Sequence, residues 1–270
     1  MKATVLVDNI SSASLCGEWG LSIYIEYNDT NILLDTGASS LFSKNAKKLD
    51  KDIDKVDYAV LSHAHYDHSD GMKTFFENND KAKFYLRESC AENCYKRVWI
   101  INKYIGLPKE ILEKYKERIE YTTDDYILTK GVTLLPHKTP DLDKIGQKNK
   151  MYIKTKQGWK IDDFSHEQSI VIKTDKGLVI FNSCSHGGAD NIINEVKQTY
   201  PDQEIYALIG GFHIFRRTEE EVRQLAQNIK KTGKKEIYTG HCTGNASYKV
   251  LKEELGDMVH QLKVGLEIEI

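Results

Sequence analysis

The chain has 270 residues, 40% of them hydrophobic and 29% charged, the composition of an ordinary globular protein with enough length to bury a large core without disulfides. Lys and Arg number 38 against 40 Asp and Glu, a formal net charge of −2, which excludes a general nucleic-acid coat, since phosphate binding needs a basic footprint. No apolar run approaches the roughly 18 residues of a membrane span. The first residues, Met1 to Asn9, read as a short strand without a signal-peptide core. The five cysteines, Cys16, Cys90, Cys94, Cys184 and Cys242, are odd in number and scattered, which argues against a secreted disulfide framework and for a cytoplasmic protein.

In chain order, Ala3 to Val7, Leu21 to Tyr27 and Asn31 to Leu34 are short β-branched or aromatic runs, and Asn28-Asp29 predicts a hairpin between the last two. A helix follows from Ser40 to Leu49. Val56 to Ser62 is an apolar strand that runs straight into His63. Residues 73–160 read differently: a helix from Cys90 to Ile105 that stacks Cys90 and Cys94 on one face, a second helix from Lys109 to Glu117 behind Pro108, then polar Lys-rich segments. This stretch is expected to be a mostly helical lid inserted into a single domain spanning 1–270. The last third alternates. Ser169–Thr174 and Gly177–Phe181 form a hairpin. Helices 190–199, 218–231 and 246–255 separate strands 205–209 and 236–239, and a final strand closes the chain. Alternating strands and helices predict an α/β protein with helix-covered sheets.

The segment that carries chemistry is Ser62-His63-Ala64-His65-Tyr66-Asp67-His68-Ser69-Asp70-Gly71. Three imidazoles and a carboxylate fall within six positions, from a chain with nine His in all. These are the ligand types that suit zinc, iron and manganese. Their spacing cannot lie on one helix face, whereas a turn beyond a strand can splay them toward two neighbouring ions. A surface histidine cluster is the bland alternative, and the buried-looking strand before it speaks against that. Later segments that can complete a metal centre are Asp162 to Gln168, Asn182 to Gly188, Gly210 to His213 and Gly240 to Gly244.

The motif His63-x-His65-x-Asp67-His68 resembles the signature of the metallo-β-lactamase fold superfamily, and Leu33-Leu34-Asp35-Thr36-Gly37 resembles its other early motif. The resemblance implies an αββα sandwich with the metals at one edge between the sheets, and an Asp35 that supports the metal loop from behind, as ligating imidazoles require. It gives His63 and His65 to a first metal and Asp67 and His68 to a second. Glu167-Gln168, Cys184-Ser185-His186-Gly187, Gly210-Gly211-Phe212-His213 and His241-Cys242-Thr243-Gly244 resemble a narrower group, the dihydropterin-ribofuranosylaminobenzene-phosphate synthase-like proteins. That pattern adds His186 and His241 as ligands. The superfamily's commoner bridging Asp is absent, and Cys184 stands roughly in its place. The bridge is therefore missing, supplied by Cys184, or left to water.

The implied cofactors are two divalent ions, zinc in the first instance, with manganese or iron as alternatives. Two such ions lower the pKa of a bridging water from about 15.7 toward neutrality and polarise a carbonyl or phosphoryl oxygen. Asp67 is expected to hold the resulting hydroxide and His213 or His166 to act as acid toward the leaving group. In the oxygen-reducing di-iron branch a Glu stands where this chain has His65, so hydrolysis is favoured over redox chemistry. The expected substrate is a small phosphoester or a pterin- or nucleotide-like compound. Arg216, Arg217 and Lys73 are expected near its phosphate, and Tyr95, Trp99, Tyr104 and Trp159 either stack a planar ring or pack the lid. A nuclease of the same fold and a non-catalytic metal-sensing module are the alternatives. Cys242 is expected to be structural, and His137 and His260 to lie on the surface.

Overall fold

The computed structural model describes every residue except Ala13 and Lys234. Two seven-stranded sheets form its centre. Across the first run Glu267–Glu269, Lys2–Val7, Ser22–Tyr27, Thr30–Leu34, Tyr58–Val60, Lys83–Arg87 and Ile119–Thr122. Across the second run Val259–Gln261, Glu236–Thr239, Ile205–Gly210, Gly177–Phe181, Gln168–Thr174, Val132–Pro136 and Tyr126–Thr129.

The two-residue period of the strands decides the layers. Ile32 and Leu34 face inward and Leu33 outward; Val179 and Phe181 face inward and Leu178 and Ile180 outward. The inward sets, with Val5, Ile23, Val60, Ile170, Ile172 and Ile209, make one core between the sheets. Outside the first sheet, Leu33, Ala59 and Phe84 meet Phe42 and Ala46 of the helix Leu41–Lys48 and Met72 and Phe75 of the helix Met72–Asn78. Outside the second, Val171, Ile180 and Leu208 meet helices Ala189–Thr199, Glu219–Lys231 and Asn245–Leu255. The result is the expected αββα sandwich. The helix Glu219–Lys231 begins with a full capping box between Thr218 and Glu221, so its start is set by sequence alone. The hairpins turn where expected, with Tyr27 opposite Thr30 and Thr174 opposite Gly177. No described helix is long and apolar enough to cross a membrane.

Residues 73–160 correct the expectation of a mostly helical lid. Lys83–Arg87 and Ile119–Thr122 belong to the first sheet, and Tyr126–Thr129 and Val132–Pro136 to the second. What remains is chiefly a four-stranded sheet in the order Gly158–Ile161, Met151–Thr155, Cys94–Val98, Ile101–Tyr104, with a helix at Asp143–Asn149. The predicted helix Cys90–Ile105 is a hairpin in which Tyr95 pairs with Tyr104 and Val98 with Ile101 around Trp99 and Ile100. Its β-branched and aromatic side chains favour a strand, and that preference outweighs the four-residue spacing of the cysteines. The predicted helix Lys109–Glu117 is a turn of α-helix, Ile111–Lys114, followed by a 3₁₀ turn, Lys116–Arg118.

Candidate metal centre

The candidate ligands, with Asp35, Asp8 and Asn9, leave the C-terminal ends of strands. Val60 leads into His63, His65, Asp67 and His68; Leu34 into Asp35; Val7 into Asp8 and Asn9; Phe181 into Cys184 and His186; Gly210 into His213; Thr239 into His241. Parallel pairing of Thr30–Leu34 with Tyr58–Val60, and of Gly177–Phe181, Ile205–Gly210 and Glu236–Thr239 with one another, brings these ends to the same edge.

His63, His65 and His186 converge, with one ligand atom from each lying within 4.8 Å of the others, and all three are buried. Their Nε2 atoms have no hydrogen-bond partner. The tautomers follow from the other side of two of these rings. His186 Nδ1 lies 2.6 Å from the Glu167 carboxylate and so donates to it, leaving Nε2 a bare lone pair. The Ser62 hydroxyl donates to Asp35 Oδ2 at 2.6 Å, so its oxygen accepts from His63 Nδ1 at 2.8 Å, again freeing Nε2. Burial, reinforced by the neighbouring imidazoles, holds His63 and His65 well below the ordinary histidine value. Three imidazoles aiming unpartnered nitrogens into one buried space are a donor set for a divalent cation.

A second group adjoins the first. His68 Nδ1 lies 2.8 Å from Asp35 Oδ2, and His241 Nδ1 lies 3.1 Å from Asn9 Oδ1, so each donates and turns Nε2 inward. Those two Nε2 atoms are 3.2 Å apart. Two lone pairs at that separation repel unless a proton or a metal lies between them. Asp67 Oδ2 is 3.5 Å from His241 Nε2 and 3.9 Å from that of His68. Burial opposes ionisation of Asp67, but His68, His241 and His65 outweigh it and hold the carboxyl well below the usual range. Burial likewise opposes charge on His241, yet Cys242, Asp67 and Asp8 raise it to about 9, the mark of surroundings that favour a positive charge. Cys184 Sγ is 3.3 Å from His68 Nε2 and 3.3 Å from Cys242 Sγ. It therefore borders the second group.

The backbone here is strained. Asp35, Phe164, Ser185, His213 and His241 all have left-handed φ, between 46° and 58°, although none is glycine. Such conformations cost energy and persist where surrounding bonds over-determine them. Gly211 permits a close approach: a Cβ there would come within 2.6 Å of Cys242 Sγ and 2.7 Å of Ser183 O.

The structure thus gathers His63, His65, Asp67, His68, His186 and His241 in one centre. His213 is beside it, its ring 4.4 Å from that of His186, with Nδ1 buried and unpartnered. Burial, His186 and Lys96 push His213 well below the usual histidine range, which makes it a neutral imidazole rather than a ready acid. His166 uses both ring nitrogens, accepting from Ala64 N at 3.2 Å and donating to Asp162 Oδ2 at 3.2 Å, so it supports the loop between His63 and His65. His137 corrects its surface assignment: its side chain is buried, bridging Glu167 at 2.9 Å and Glu195 at 3.2 Å. Burial opposes its charge, but the two glutamates raise it to about 10. Lys73 pairs with Glu77 on the solvent face of the helix Met72–Asn78 and does not line the cavity at the centre.

Sequence reasoning left Asp8, Asn9, Trp19 and Glu167 without roles. Asp8 accepts from His241 N at 2.8 Å, and Trp19 Nε1 donates to Asp67 Oδ2 at 2.8 Å. Glu167 stood inside a quoted motif, and its position before a buried strand was the available signal. Trp19 offered none.

A cavity of about 450 Å³ opens on the centre, walled by Trp19, His65, Asp67, Lys96, His213 and Arg216. An outer cavity of about 670 Å³ continues from it, sharing Lys96, His213, Phe215 and Arg216. Of the lid aromatics, Tyr95 packs against Tyr104 and Trp159, whereas Trp99 is 91% exposed at the rim.

Residues 20–150 match the metallo-beta-lactamase superfamily. The 7,8-dihydropterin-6-methyl-4-(beta-D-ribofuranosyl)-aminobenzene-5'-phosphate synthase of Methanocaldococcus jannaschii is 28% identical over 288 residues, covering 96% of each chain. The crystal structure of a metal-dependent hydrolase of the beta-lactamase superfamily superimposes with a TM-score of 0.85 at 25% identity, covering 100% of this chain and 99% of that one. A diphosphatase of the PhnP family shares the fold, with a TM-score of 0.59 at 12% identity over 100% of this chain and 97% of its own.

Proposed function

The chain carries a metallo-beta-lactamase superfamily domain, and from that premise we propose that it is a metal-dependent hydrolase of a small phosphorylated substrate. The observation that carries this reading is the convergence of bare, buried imidazole nitrogens. His63, His65 and His186 would hold one divalent ion, and Asp67, His68 and His241 a second beside it, with Cys184 at its border. Imidazole and carboxylate donors suit zinc, with manganese and iron as alternatives. When bound, such ions lower the pKa of water toward neutrality and polarise a phosphoryl oxygen.

The chain's own residues do the rest. Asp35 holds the His68 ring directly and the His63 ring through Ser62, so one carboxylate orients ligands at both positions. Glu167 does the same for His186. Asp67, ionised and braced by Trp19, has an oxygen free to hold a proton at the attacking atom. His213, neutral on the cavity wall, is a hydrogen-bond donor toward substrate. The lysine and arginine side chains of the same wall favour an anionic ligand.

The test is metal content by elemental analysis, paired with bis(p-nitrophenyl) phosphate and thioester assays on the same sample. About two metals per chain with phosphodiester turnover is the expected result. One metal or none, with no turnover after zinc or manganese is added, would move the reading to a non-catalytic metal-binding module. Two metals without hydrolysis would favour bond formation, the chemistry in the name of the M. jannaschii relative. His213→Ala is expected to slow turnover with metal content intact. Metal loss instead would make His213 a ligand.

A further inference from the structure

The outer cavity carries a charge imbalance that the metal centre does not use. Six basic side chains line it, Lys96, Arg97, Lys148, Lys150, Arg216 and Arg217, against the single carboxylate of Glu221. Glu221 is already engaged: it pairs with Lys148 at 2.6 Å, lies 3.5 Å from Arg217, and caps its own helix by accepting from Thr218 N at 2.8 Å. Among the described residues, Lys96, Arg97, Lys150 and Arg216 form no ion pair. The chain as a whole is at −2, so this concentration of positive charge is local.

The residues come from three separate places. Lys96 and Arg97 lie on the strand Cys94–Val98, Lys148 and Lys150 at the end of the helix Asp143–Asn149, and Arg216 and Arg217 just after His213. The fold therefore gathers like charges that the chain keeps apart. Lys96 is half-buried, and burial together with Arg216 pushes its ammonium below the ordinary lysine value. Mutual repulsion of this kind is relieved by a bound anion. Lys96 and Arg216 also line the inner cavity, so the basic wall is continuous from the metal centre outward.

We propose that the outer cavity is a second anion subsite, built for a phosphate group that is not the one at the metals, so that the substrate is a small molecule phosphorylated at two positions. Lys150, Arg97 and Arg216 hold the distal phosphate, and Lys96 stands between the two positions. The proposal rests on the hydrolase reading only for where the first phosphate goes.

Isothermal titration of the metal-loaded protein with adenosine 3',5'-bisphosphate and with adenosine 5'-monophosphate tests it. The bisphosphate is expected to bind at least 10-fold more tightly. In Arg97→Gln/Lys150→Gln that advantage is expected to disappear, while the monophosphate changes less than 2-fold. Arg97 is partly exposed and Lys150 exposed, so the double variant is expected to fold, and its thermal midpoint and metal content verify this. Equal affinity of the two nucleotides in the wild type overturns the proposal. So does an advantage that survives the substitutions, or an equal loss for both nucleotides, which makes the outer cavity the sole anion site. Absence of bis(p-nitrophenyl) phosphate turnover with the bisphosphate preference intact sinks the hydrolase reading and leaves the subsite standing.

Discussion

Asp35→Asn keeps the side chain's volume and removes one acceptor. In the native protein Oδ1 accepts from Ser62 N at 2.7 Å, and Oδ2 accepts from the Ser62 hydroxyl at 2.6 Å and faces His68 Nδ1 at 2.8 Å. An amide leaves its NH₂ facing either Ser62 N or the pair of donors at Oδ2. One orientation strands the Ser62 backbone N–H. The other invites His68 to move its proton to Nε2, the atom turned toward His241. A lost hydrogen bond to a charged group costs about 1.5–3 kcal/mol. Removing a group that orients a metal ligand costs about 10–100-fold in metal affinity, or about 1.4–2.8 kcal/mol. The two routes agree, so zinc affinity is expected to fall by about 10–100-fold. The loss should be greatest at the position served by His68, with a smaller loss at the His63 position through Ser62. Competition for zinc against a chromophoric chelator, resolved into two sites, measures it. Affinities at both sites within 3-fold of wild type, in a folded variant, would refute the claim that Asp35 sets the ligand tautomers.

Trp19→Phe removes the N–H that braces Asp67 and is expected to lower turnover by about 10-fold with metal content unchanged; loss of metal in the same proportion would contradict a role confined to Asp67. His137→Asn strips the buried cation from between Glu167 and Glu195 and is expected to destabilise the fold by about 3 kcal/mol in urea titrations. Because the native value of His137 is raised to about 10, its contribution is complete below about 6.5, falls as pH rises from there, and is lost by about pH 10. The gap between wild type and variant should therefore close at high pH, and a constant gap would refute the ion-pair account. Chelation should lower the thermal midpoint and zinc restore it, since a ligand at 1,000 times its dissociation constant adds about 4 kcal/mol; an unmoved midpoint would mean that the converging nitrogens hold no metal.

How much was legible in the chain depends on the range of the physics involved. The αββα layering follows from two-residue alternation in strands such as Thr30–Leu34 and from the amphipathic helix Glu219–Lys231, both local patterns. The cluster His63, His65, Asp67, His68 is local too, because a loop beyond a strand needs only neighbouring residues to present its side chains. The hairpin at 94–104 escapes local prediction because a four-residue repeat and a β-branched run compete within one short segment, and pairing with the strand Met151–Thr155 decides for the sheet. His186 and His241 could be named from their motifs but not joined to His68 until parallel pairing aligned the strand ends. Asp8, Asn9, Trp19 and His137 lay beyond sequence reasoning altogether, and Glu167 showed only as part of a motif without its role. Each acts on residues of other segments by directed hydrogen bonds, and no periodicity or spacing encodes such bonds. The basic outer cavity has the same origin. Its charges are dispersed at 96–97, 148–150 and 216–217, and only the packing of three distant segments turns a chain of net charge −2 into one with a concentrated positive wall.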